Sequence, residues 1–174
     1  MPPETDTLED LRSAASDVTL AEPNTYLTFA IGAQIFAVDV HNVREVLDMQ
    51  AISRLPNAPH DLLGVIDVRD QGIGVIDLAN RLGMQLEGSK NQRIVVFELG
   101  EASPVTPVGV IADRVLSVAE IPGADIESPP STLSSWDPRA VRGMARIDGN
   151  MVIVLLLSEV FQKSDLDTDS FSFH

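Results

Sequence analysis

Leu62–Leu82 reads LLGVIDVRDQGIGVIDLANRL, and the way this stretch folds back on itself decides the class of the whole chain. Gly-Val-Ile-Asp stands at Gly64–Asp67 and again at Gly74–Asp77, with Val68-Arg69-Asp70-Gln71-Gly72-Ile73 between. Two β-forming runs around an Asp-Gln-Gly break predict an antiparallel hairpin with a short, glycine-containing loop. Side chains alternate across a strand. On the first arm Gly64, Ile66 and Val68 therefore share one face, and Val65, Asp67 and Arg69 the other. On the second arm Gly74, Ile76 and Leu78 oppose Ile73, Val75 and Asp77. One face suits a core. The other mixes Val65 and Val75 with Asp67, Arg69 and Asp77, which suits a partner surface better than bulk solvent.

The same signals recur outward from this hairpin. Thr25–Val40, TYLTFAIGAQIFAVDV, places β-formers on both sides of Gly32-Ala33-Gln34. Asp39–Asn42 carries helix-start chemistry for about one turn. Val43–Leu47 then alternates apolar and charged, a strand with Glu45 pointing away from Val46. Pro56 and Pro59 make Leu55–Pro59 an extended loop. Leu78–Leu82 is a helical turn ended by Gly83. Beyond the polar Gly88–Gln92, strands are expected at Arg93–Leu99, Val105–Ala112 and Val115–Ala119, with GEASP as the first turn and Asp113-Arg114 as a tight joint. Val141–Ile147 and Met151–Leu157 flank Asp148-Gly149-Asn150, a strong hairpin turn. Short strands spaced roughly ten residues apart, with little helix, predict small β-barrels or a sandwich. The polar break divides the expected domain, 24–161, into a first lobe over 24–87 and a second over 90–148, with 151–157 free to return to the first. Residues 1–23 and 162–174 read as acidic tails. Leu8, Leu11, Ala14 and Ala15 could form a short helical face in the first of them.

Composition removes several function classes. The chain has 174 residues, no cysteine and a net charge of −14. Disulfides and thiolate metal sites are excluded. So acidic a chain is not expected to bind nucleic acid or an anionic membrane, both of which call for basic patches. Its start lacks the basic and apolar regions of a signal peptide, and no apolar run reaches the roughly 18 residues of a membrane span. A soluble, cytoplasmic protein is expected.

Catalytic chemistry is sparse. His41, His60 and His174 lack metal-site spacing, and neither a phosphate-binding loop nor a G-x-S-x-G elbow occurs. Asp67 and Asp77 could face each other as an acid–base pair, although surface aspartates balanced by Arg69 are the simpler reading. No enzyme, metal or cofactor is expected. Arg69 beside the hairpin loop could reach a partner carboxylate. Glu45 is framed by Val43 and Val46, and Trp136 could serve as an exposed anchor.

Four stretches together resemble the CheW family of chemotaxis coupling proteins, over about Thr25–Phe161. They are YLTFAIGAQIFAVDVHNVREVL, ISRLPNAPHDLLGVIDVR, VGVIADRVLSV and AVRGMARIDGNMVIVLLLSEVF. The family commonly has Arg-Gly where this chain has Arg69-Asp70, and Pro where it has Gly74. The resemblance implies a mainly β fold of two five-stranded SH3-like barrel lobes with short helical turns, packed on a shared core. It also implies a non-enzymatic adaptor joining chemoreceptor cytoplasmic tips to the regulatory domain of the CheA histidine kinase, in the cytoplasm at membrane receptor arrays. By position, Val43, Glu45, Gly64 and Arg69 match receptor- or kinase-contact sites, and Ile94, Val115 and Val118 a receptor groove. Two alternatives stand beside it: a CheW-like adaptor of a receptor–kinase pathway outside chemotaxis, and a small-ligand-binding β-barrel.

Overall fold

A computed structural model describes residues 24–99, 106–130 and 139–161. Its strands are β1 (Thr25–Ile31), β2 (Gln34–Asp39), β3 (Val43–Asp48), β4 (Leu62–Val68), β5 (Gln71–Ile76), β6 (Arg93–Leu99), β7 (Thr106–Ala112), β8 (Arg114–Glu120), β9 (Val141–Ile147) and β10 (Asn150–Leu155). Single helical turns, α1 (Leu78–Arg81) and α2 (Leu157–Val160), follow β5 and β10. The GEASP turn, Trp136 and both acidic tails lie outside the described residues.

Two five-stranded sheets form, ordered β8-β1-β2-β10-β9 and β3-β6-β7-β5-β4. Each is an SH3-like barrel lobe, and the lobes are not consecutive in the chain. The expected division at Gly88 is overturned, because β3–β5 before it share a sheet with β6 and β7 after it. The polarity of Gly88–Gln92 marks a loop, not a lobe boundary. The two halves of the chain repeat one pattern instead. Each half gives its first hairpin to one lobe and its last three strands to the other. The parallel pairs β2–β10 and β5–β7 close the two lobes in the same way.

This exchange explains the burial. Leu27, Phe29, Phe36, Val95, Phe97 and Val108 lie in a core cluster to which both sheets contribute. Ile66, Val68, Ile73, Val75, Ile94 and Val96 fill the inside of one lobe, and Tyr26, Ala37, Ala145, Val152 and Val154 that of the other. The inner strands are therefore covered on both faces and read as continuous apolar runs. Val75 is fully buried, and so does not belong to the mixed outer face expected of the hairpin.

The hairpin β4–β5 pairs as expected, but its turn is Arg69-Asp70 and not Asp70–Gly72, since Val68 pairs with Gln71 and Asp67 with Gly72. Both turn residues have positive φ, 50° and 64°, the signature of a two-residue turn matched to strand twist. The family's glycine at position 70 suits that backbone, and aspartate tolerates it. Gly64 answers a different demand. A Cβ there would stand 2.3 Å from the Ser53 carbonyl oxygen, because Ser53 bridges to Val65 along the outer edge of β4. Gly143 repeats this on β9, 2.3 Å from the Glu127 oxygen, beside a Glu127–Met144 bridge.

Chain crossings between the lobes fall at Val40–Asn42 and at Asp113. The first is a 3-10 turn whose leading amide His41 donates to the Asp39 side chain at 2.9 Å. The second is a fully buried aspartate. Its carboxylate accepts from the amides of Gly32 (2.7 Å), Glu87 (2.9 Å) and Gly88 (3.1 Å), and from Gln92 Nε2 at 3.1 Å. Burial alone would raise its pKa, but these bonds, with Ser89, outweigh it and hold the group below its ordinary 3.8.

A depressed pKa means a stabilising contribution that is complete above 3.8 and lost as pH falls through the folded-state value. Asp113→Asn, which removes the charge and turns an N–H₂ toward donors, should cost about 2–4 kcal/mol at neutral pH. Urea unfolding at pH 7 measures the loss. The same titration repeated toward pH 2 should show a shallower decline in the variant than in the parent chain.

Candidate protein-binding site

Glu45 sits on β3, an edge strand of its sheet. The pairing with β6 slips between Val43 and Glu45, where Val43 faces Phe97 and Glu45 faces Val96. Arg44 is the extra residue of a β-bulge, a device that re-aims neighbouring side chains. Strict alternation would send Arg44 and Glu45 to opposite faces. With the bulge, Arg44 Nε comes within 3.7 Å of Glu45 Oε2 and 3.2 Å of Glu98 Oε1.

The β4–β5 turn reaches across to this strand. Arg69 Nη1 donates to Glu45 Oε1 at 3.1 Å, and its Nη2 to Glu45 Oε2, a bidentate fork. Arg44 Nη1 donates to Gln71 Oε1 at 3.0 Å. The hydrogen bond to Glu45, and then its charge, raise the Arg69 pKa above its ordinary value. The two partners differ in access: the Glu45 side chain is 16% exposed and the Arg69 side chain 66%. Glu45 is thus the fixed inner member, and Arg69 the group presented to solvent. Arg69 pairs with Glu45 and not with its neighbour Asp70.

Of the residues expected at a partner surface, the structure unites only Glu45 and Arg69. Val43 is buried in the shared core at the start of the bulge. Gly64 offers close backbone approach, not a contact side chain. Ile94 cannot line a groove, because β6 lies between β3 and β7 and its side chain is fully buried inside the lobe. Val115 and Val118 are on β8 in the other sheet, partly buried against the shared core. Ile94 and these valines do not form one groove.

Asp67 and Asp77 are separated as well. Asp67 opposes Gly72 near the turn, whereas Asp77 accepts from the Asn80 amide at 3.0 Å and caps α1. The acid–base pair is excluded. Arg44, Gln71 and Glu98 were not singled out by sequence. Alternation along β6 places Glu98 outward, but nothing local announces the bulge that brings Arg44 to it. Among the described residues no group of histidine and carboxylates could hold a metal ion.

Residues 25–165 match the model of the CheW-like domain. The chain belongs to the CheW family. Chemotaxis protein CheW of Rhizobium meliloti is 27% identical over 139 residues, covering 80% of this chain and 88% of that one. Protein FrzA of Myxococcus xanthus is 32% identical over 135 residues, covering 76% and 81%. The crystal structure of scaffolding protein TtCheW from Thermoanaerobacter tengcongensis superposes with a TM-score of 0.70 at 31% identity, over 83% of this chain and 92% of that chain. A CheW fold thus carries the Arg44–Glu45–Arg69–Glu98 cluster on one lobe.

Gly64→Ala separates packing from contact at this site. The added methyl must displace the Ser53 backbone, so stability should fall by about 3 kcal/mol. Chemical denaturation reads this directly, and Gly143→Ala should fall by a similar amount.

Proposed function

We propose that this chain is a non-enzymatic chemotaxis adaptor that couples the cytoplasmic tip of a chemoreceptor to the regulatory domain of a CheA-type histidine kinase. The observation that carries the reading is the half-exposed charged cluster built on the β3 bulge and the β4–β5 turn, in a chain of the CheW family. The superposed relative is a scaffolding protein, and several others are chemotaxis proteins. An adaptor needs contact surfaces rather than a reaction centre, and rigid hairpins hold such surfaces in place without an ordering cost on binding.

The cluster suits one face of such a bridge. Arg69 keeps its guanidinium oriented by Glu45, so a partner carboxylate meets a preorganised donor. Arg44, already shared among Glu45, Glu98 and Gln71, fixes the register around it. Partly buried Val115 and Val118 on β8 would contribute apolar contact from the other lobe, where the end of a receptor helix hairpin could lie. Two faces on different lobes can be occupied together, and weak contacts repeated across an array gain strength by multivalency. The protein would then act in the cytoplasm, drawn to the membrane by its receptor. No helix among the described residues is long and apolar enough to cross the membrane itself.

A titration against the regulatory domain of the cognate kinase, and separately against the receptor's cytoplasmic fragment, tests the proposal. Arg69→Ala should weaken at least one partner by about tenfold or more, while the thermal midpoint moves by no more than roughly 2 °C, as for an exposed ion pair. Glu45→Lys puts a third cation beside Arg44 and Arg69 and should weaken the same partner further. Failure of the parent chain to bind either protein would overturn the coupling role. Unchanged binding in both variants would move the contact elsewhere.

A further inference from the structure

We infer that Asp70 selects the partner at the β4–β5 turn, by requiring a cation beside the carboxylate that meets Arg69. The inference rests on the coupling reading above and deepens it. Backbone conformation is the first observation. Arg69 and Asp70 stand at φ 50° and 64°, and Asp148 and Gly149 of the β9–β10 turn at 51° and 81°. Such turns favour Asn-Gly or Asp-Gly. The β9–β10 turn has that pair, whereas the β4–β5 turn sets a side chain at both of the places where one is costly. Residues held in sparsely populated conformations gather at contact and ligand sites.

The two turn residues differ in what offsets that cost. Arg69 is held within the fold by its fork to Glu45. Asp70 is not. It is exposed, and its carboxylate joins no hydrogen bond or ion pair among the described residues. Asp39, Asp61 and Asp77, also at turns, are bonded internally, to the His41 amide at 2.9 Å, Asn80 Nδ2 at 2.6 Å and the Asn80 amide at 3.0 Å. Asp70 is thus a free charge in an unfavoured conformation, directly beside the guanidinium that the site presents.

The chemistry of the partner follows from the charges already there. A partner carboxylate that meets Arg69 joins those of Glu45 and Asp70 around a single guanidinium. Arg44 is already shared, with Glu98 Oε1 at 3.2 Å from its Nε and Gln71 Oε1 accepting from its Nη1. Like charges brought together at an interface cost affinity. A lysine or arginine of the partner, set opposite Asp70, removes the surplus. A surface that offers a carboxylate and a cation side by side is therefore favoured, and one that offers the carboxylate alone is rejected.

Calorimetric titration of the full chain tests this, against whichever of the kinase regulatory domain and the receptor fragment loses affinity with Arg69→Ala. Asp70→Asn keeps a residue that tolerates the backbone and removes only the charge. It should weaken binding by about threefold or more at about 0.05 M salt, and by less at about 0.3 M. Asp70→Lys should weaken it by about tenfold or more. Asp70→Gly should bind as Asp70→Asn does while its thermal midpoint holds or rises by up to roughly 4 °C, a divergence that a merely structural residue does not show. Asp148→Asn, the same charge change at the exposed turn of the other lobe, should bind that partner as the parent does. Asp70 variants that bind like the parent, or an Asp70→Asn that binds more tightly, would overturn the inference and leave the coupling reading in place. So would an equal loss in Asp148→Asn, which net charge alone explains. A parent chain that binds neither protein removes the coupling reading, and this inference with it.

Discussion

A single buried carboxylate holds the exchange of strands together. At Asp113 the chain leaves β7 in one lobe and enters β8 in the other, and its amide donates to the Ala30 carbonyl of β1 at 2.9 Å. Its side chain meanwhile draws in the β1–β2 turn at Gly32 and the connection from α1 to β6 at Glu87, Gly88 and Gln92. Two separate stretches of backbone and one side chain converge on two oxygens. A buried anion is costly unless its lone pairs are occupied, and here four donors occupy them, the Gly32 amide among them in a buried hydrogen bond. The carboxylate thus ties the crossing to the turn and to the connection. An apolar residue at position 113 would leave several donors unsatisfied at the point where the lobes join.

The exchange gives the lobes a shared core and leaves each with an edge strand that follows a crossing, β3 in one and β8 in the other. Both edges carry a bulge at the same place, one residue beyond the valine that starts the strand's burial. A bulge twists an edge and turns extra side chains outward. In β3 those side chains are Arg44 and Glu45, which the opposite hairpin grips through Gln71 and Arg69 respectively. In β8 they are Leu116 and Ser117, and the residue corresponding to Arg69 in the β9–β10 turn is Asp148. One lobe closes its edge with charge. The other leaves an apolar edge uncovered by any described residue.

Much of this was legible in the sequence. Turn residues and β-forming runs located the strands because the turns demand particular backbone conformations and β-branched residues fill pleated, buried surfaces. Asp39 marked one helical turn because an aspartate ahead of a turn caps free amides, and Gly83 marked the end of another; the cap that Asp77 supplies to that second turn was not read. The lobe assignment was hidden, since parallel pairing of β2 with β10 and of β5 with β7 is non-local and leaves no mark on the turns. Ile94 shows the cost of that blindness. A run such as Ile-Val-Val-Phe fits a groove or a doubly covered strand equally well, and only sheet order decides. Arg69 and Glu45 were readable as charges in apolar settings, but not as partners of each other. Their meeting depends on a barrel closing across 24 residues of chain.

The repeated halves bear on how a molecule of this shape could serve two different partners. Two lobes related by near-repetition would, with identical surfaces, recognise the same thing twice. Specificity for unlike partners requires that equivalent positions diverge, and they diverge most at the bulges and hairpin turns, while the buried positions keep their character. Val43 and Val115 both stay apolar. Gly64 and Gly143 both admit a bridging segment, and a Cβ at either would stand 2.3 Å from its carbonyl oxygen. Arg44 against Leu116 exchanges charge for an apolar group, Glu45 against Ser117 loses a charge, and Arg69 against Asp148 reverses one. The conserved set is what packing demands of both lobes, and the divergent set is what packing leaves free. The second set stands on a frame that the first makes common to both halves.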